Sequence, residues 1–178
     1  MKRLACAFVL LHYLGGQHPV AAQAWQRQAP DTDAVTGQVS RVVWVATPDG
    51  EATLGLTCYR NVDGSNPTLQ LRLYSPRHVF DFHSAADGED RVRLTWRVDA
   101  DTVHVLNANV FKDGRNVFLF ETGIDLEVGS SAQQLFALVT DTRPHTLALK
   151  WPAAFEAGQT ARWRLTPNAA MRAVVAAC

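Results

Sequence analysis

Residues Arg91–Val98 read RVRLTWRV, and residues Thr68–Tyr74 read TLQLRLY. In the first stretch Val92, Leu94, Trp96 and Val98 alternate with Arg91, Arg93, Thr95 and Arg97. In the second, Leu69, Leu71 and Leu73 alternate with Gln70 and Arg72. A period of two sends successive side chains to opposite sides of a strand, so each stretch buries one face and wets the other. The same pattern marks 38–46, 52–59, 78–82, 102–110, 116–121, 145–151 and 159–165. Turn-forming pairs punctuate these runs: Asp49-Gly50, the tripeptide Lys112-Asp113-Gly114, and loops over 61–67 and 86–90. Many short strands joined by such turns predict a mainly β fold, an antiparallel β-sandwich or a partly open barrel.

Two segments depart from that period. Residues 130–139, SSAQQLFALV, place Leu135, Phe136 and Val139 at helical spacing behind a serine start, which predicts a short mid-chain helix. The chain closes on Thr166-Pro167-Asn168 and then AAMRAVVAAC. Met171, Val174, Val175 and Cys178 share a helical face, so a C-terminal helix is expected, with Thr166 as its cap and Pro167 in its first turn.

The N-terminus has a different character. Lys2 and Arg3 precede the apolar run LACAFVLLHYL, and Ala22-Gln23-Ala24 supplies small residues flanking a cut. Residues 1–24 therefore read as a cleaved secretory signal, too short in its apolar part to span a bilayer. Residues 25–37 form a polar lead-in segment, and 38–178 a single β-rich domain. No second apolar run of spanning length follows, so no transmembrane segment is expected after cleavage. The expected location is periplasmic or secreted.

Removal of 24 residues from 178 leaves 154, enough for one domain with a substantial core. Lys2 and Arg3 leave with the signal, so 17 cations against 17 anions become 15 against 17, a net −2. That balance argues against a nucleic-acid partner, which calls for a basic excess. Cys6 is also lost, leaving Cys58 and Cys178. An even count in an oxidising compartment predicts a disulfide between them. Two distant cysteines with no paired histidines do not make a zinc site, and no metal or other cofactor is expected.

The candidates for chemistry are few. His78 and His83 lie near Asp81, Asp87, Glu89 and Asp90; a polar loop beside an edge strand is the simpler reading of that cluster. His104 and His145 sit in strand patterns. Ser75, Ser84, Ser130 and Ser131 lack any nucleophile motif, and no phosphate-binding loop occurs. Trp44, Trp96, Trp151 and Trp163 all fall within strands, where packing is the default and an exposed aromatic face the alternative. Arg91, Arg93 and Arg97 share one strand face. That face is either a surface for an anionic partner or a solvated surface neutralised by Asp99, Asp101 or cross-strand acids.

Taken in order, the strand ending at Cys58, the stretch Val92-Arg93-Leu94-Thr95-Trp96-Arg97-Val98-Asp99, the QQLFALV helix, Arg162-Trp163-Arg164-Leu165 and the helix ending at Cys178 form a series. This series resembles small periplasmic proteins associated with type VI secretion, the VasI-like group, and several other exported families. The resemblance spans residues 56–178. It implies an accessory role and brings no catalytic residues with it.

The expected function is thus an exported, non-enzymatic binding or accessory protein that meets an envelope protein. The alternative is a periplasmic inhibitor or immunity-type protein that blocks a hydrolase or toxin, using a loop such as 61–67 or 84–90.

Overall fold

The computed structural model describes residues 23–77, 79, 91–110, 114–122, 129–153 and 156–178, with backbone alone at 156 and 157. The strands are β1 (Gln26–Arg27), β2 (Asp31–Thr32), β3 (Val39–Ala46), β4 (Thr53–Arg60), β5 (Thr68–Tyr74), β6 (Arg91–Val98), β7 (His104–Val110), β8 (Asn116–Glu121), β9 (His145–Ala153) and β10 (Glu156–Leu165). Helix α1 (Ser131–Val139) follows β8, and α2 (Ala169–Val175) follows β10. The predicted run 78–82 falls outside the described residues, apart from Val79.

The ten strands form one antiparallel sheet that is not closed into a barrel. Its order is β1-β3-β4-β5-β8-β7-β6-β9-β10, with β2 also pairing β3. The β6–β7–β8 meander is inserted in reverse. Its last strand lies against β5 and its first against β9.

Period-two burial holds along β6 and β9. Val92, Leu94, Trp96 and Val98 point inward with Leu147, Leu149 and Trp151, and the intervening residues point out or lie at the surface. Trp163 and Leu165 continue the layer from β10, with the Trp151 and Trp163 rings 6.5 Å apart. The sheet curls. Ser75, just past β5, accepts a hydrogen bond from Trp151 Nε1 at 3.2 Å and donates to Gln159 Oε1 at 3.1 Å, although β5 and β9 are far apart in the strand order. Trp44 is the exception among the predicted strand tryptophans. It pairs with Gly55 on the opposite side of β3 and is half-buried.

The helices seal the curled sheet. Ser130 caps α1, its Oγ accepting from Gln133 N at 3.2 Å, and Leu135 and Val139 are buried. Phe136 stacks on Phe120 with ring centroids 4.3 Å apart. Helix α2 starts two residues later than the sequence pattern predicts. Its cap is Asn168, whose Oδ1 accepts from Met171 N at 3.0 Å, and not Thr166. Thr166 is still bridged to Ala24 at the sheet margin, so its backbone is unavailable for a helical start. Met171 and Val174 face the core, and beyond them Cys178 is joined to Cys58 of β4, with Cα atoms 5.8 Å apart. Among the described residues, no helix is long and apolar enough to cross a membrane.

Candidate binding face

The outward residues of β6, β9 and β10 make one cationic surface. Arg91, Arg93 and Arg97 are exposed because their neighbours in β6 are committed to the core. Strand register then brings in cations from strands remote in sequence. Thr95 lies opposite Lys150, which lies opposite Thr160. Arg97 lies opposite Ala148, which lies opposite Arg162, and Arg164 pairs with Thr146. Adjacent strands are about 4.8 Å apart, so the roots of Arg97 and Arg162 stand roughly 10 Å apart across one small alanine. Their long side chains flank a depression of about 190 Å³ floored by Ala148 and bordered by Thr95 and Lys150. A second hollow of about 380 Å³ adjoins it, against Arg93, Lys150, Pro152 and Gly158.

The nearby acids are engaged elsewhere. Asp99 ends β6 in a left-handed turn (φ 48°), and its Oδ1 accepts from Thr146 N at 3.0 Å. Its Oδ2 lies 3.5 Å from His145 Nδ1. The hydrogen bond from the Thr146 amide, followed by the histidine, holds the Asp99 carboxyl below its usual range. Asp141 Oδ2 meets His145 Nε2 at 2.9 Å and Arg143 at 3.0 Å, and these two partners, the histidine first, push its carboxyl far below the carboxylate norm. Asp101 accepts from Thr102 N at 2.7 Å within its own turn.

Among the described residues, none of these carboxylates forms an ion pair with Arg93, Arg97, Lys150, Arg162 or Arg164. Arg91 donates to Asn109 Oδ1 at 3.2 Å, a neutral partner. Arg72, on the β5 surface, shows the contrasting case. It donates to Tyr59 Oη at 3.0 Å and to Gln70, and it stacks over Phe118 at 4.7 Å.

Among the described residues, six exposed cations share this face, with Asp99 and Asp101 at its margin, while Asp31, Asp33, Asp49, Glu51 and Asp63 are exposed in the first two-fifths of the chain. Thr95, Ala148 and Thr160 separate the cations, which moderates repulsion without cancelling the summed field. Clustered like charges raise the local concentration of an anion and speed its encounter.

The other predicted candidates are structural where they are described. Ser130 caps a helix, Ser131 Oγ accepts from Trp96 Nε1 at 2.8 Å, and Ser75 bridges Trp151 and Gln159. His104 stacks on Trp96 at 4.2 Å. Loop 61–67 is a tight exposed turn held by Asp63 and Ser65, with Asn66 at φ 51°. His78, Asp81, His83, Ser84, Asp87, Glu89 and Asp90 lie outside the described residues. Among the described residues no histidine, cysteine or acid cluster could hold a metal. Sequence reasoning missed Lys150, Arg162 and Arg164. Their alternation with Leu149, Trp163 and Leu165 shows that they point outward, but only strand register places them beside β6.

Three comparisons bear on kinship. No family model, curated protein or solved structure matches the chain. The site must therefore be read from its own geometry.

Proposed function

We propose that this is an exported, non-enzymatic binding protein that docks an acidic surface of an envelope partner onto the β6–β9–β10 face. The observation that carries the reading is the set of exposed cations from three strands without a carboxylate partner among the described residues. Arginines that only solubilise a sheet are commonly interleaved with acids across the strands. Here the like charges repel in the free protein, and an anionic partner relieves that repulsion on contact. Guanidinium groups suit such a role because they bind carboxylates through two parallel hydrogen bonds. The resemblance to type VI accessory proteins makes a component of that apparatus the first partner to examine.

The test compares the mature domain with the triple reversal R93E/R97E/R162E as bait in envelope extract from the native host. The expected result is one acidic protein retained by the wild type, lost with the reversal, and released at about 1 M salt, where the screening length is only about 3 Å. Equal retention by both baits would remove the basis for the proposal. Retention by an intact 61–67 loop, with no dependence on the cations, would favour the inhibitor reading instead.

A further inference from the structure

The N-terminal residues Gln23 and Ala24 belong to the folded domain. The Gln23 side chain spans β10, at one end of the sheet order, and β3, next to the strand at the other end. Its Oε1 accepts from Arg164 N in β10 at 2.6 Å, and its Nε2 donates to Ala46 O in β3. Ala24 bridges Thr166 in parallel, and Gln26 pairs with Trp44 of β3. Trp25 is 3% exposed, and its carbonyl accepts from Asn168 Nδ2 at 2.8 Å. Four consecutive residues thus clasp the margin where the curled sheet brings β3 and β10 together.

A cut after Ala24 would remove two members of this clasp. It would also leave a charged α-ammonium on Trp25, a buried residue, and burying an unpaired charge is costly. The sequence offers another site two residues earlier. Val20 and Ala22 are short side chains at the third and first positions before the Ala22–Gln23 bond, which is the spacing a signal peptidase reads. The enzyme acts on an extended chain, so these side chains decide the cut and the fold decides which product is stable. We propose that processing occurs between Ala22 and Gln23, so that the mature protein begins at Gln23 and uses this residue to clasp β3 to β10. The inference rests on the exported reading above.

The full-length precursor, expressed in a Gram-negative host, is recovered from the periplasm for intact-mass measurement and N-terminal sequencing. The expected product begins at Gln23, with or without loss of ammonia by cyclisation of that residue. A product beginning at Trp25 overturns this inference and leaves the exported reading standing. An uncleaved, cytoplasmic chain beginning at Met1 overturns both. Two substitutions separate the sites further. Val20→Glu should block processing, and Ala24→Leu should leave it unchanged; the reverse pattern overturns the assignment. For the clasp itself, protein beginning at Gln23 should melt at a higher temperature than protein refolded from a chain beginning at Trp25. Equal melting temperatures would refute the clasp.

Discussion

Cys178→Ser is the sharpest probe of how the fold is held. Cys178 is exposed past the end of α2, whereas Cys58 is fully buried in β4, so changing the outer cysteine cuts the link without opening a cavity. The bridge joins residues 120 apart. In the chain-entropy treatment, closing a loop of that length lowers the entropy of the unfolded chain by about 16 cal/mol/K, or about 5 kcal/mol at 25 °C. At roughly 2–4 °C per kcal/mol for a domain of this size, the melting temperature should fall by about 10–20 °C. Urea unfolding followed by tryptophan fluorescence measures the free energy, and calorimetry measures the midpoint. Reduced wild-type protein should match the variant, because both lose the same constraint. The urea slope should rise in both, since an unlinked chain exposes more surface on unfolding. A loss below about 1 kcal/mol, or a variant much less stable than reduced wild type, would refute the entropic account.

Three further outcomes follow from the geometry. The reversal R93E/R97E/R162E, apart from its effect on binding, should leave the melting temperature within a few degrees of wild type, because exposed side chains without ion partners contribute little to the fold; a large drop would mean that the face is structural. Asp141 and Asp99 titrate below their unfolded values, so the stability they contribute is complete above about pH 4 and is lost as pH falls through their folded-state values. Asp141→Asn should therefore flatten the acid limb of a stability-against-pH curve, and an unchanged acid limb would contradict the His145 and Arg143 pairing. Trp163→Phe should cost about 1 kcal/mol less than Trp151→Phe in chemical denaturation, because the Trp163 Nε1 has no hydrogen-bond partner among the described residues while Trp151 Nε1 bonds Ser75; equal costs would contradict that difference.

Much of this architecture was legible along the chain. The period-two runs in β5, β6 and β8 predicted those strands at their observed limits, and Ser130 announced the start of α1. The cap of α2 was less legible. Thr166 and Asn168 are both capable capping residues, and the choice fell to the bridge that holds Thr166 at the sheet margin. The lead-in 25–37 carried no strand period, yet it contributes β1 and β2 by pairing with β3. Two-residue strands on an exposed edge leave almost no side-chain signature.

The sequence alone determined which side chains of β6 and β9 face inward, because alternation is a local property of extended backbone. It also supplied the two cysteines of the bridge and three of the six cations. The tertiary structure decided that β6 lies between β7 and β9, and so that Lys150, Arg162 and Arg164 join Arg91, Arg93 and Arg97. It likewise decided that Asp99 turns to His145 and Thr146. The physical reason is that strands are paired by backbone hydrogen bonds, which are the same for every residue with an N–H and a carbonyl. Which strands become neighbours is set by how the whole core closes, and a face built from three strands exists only after that closure.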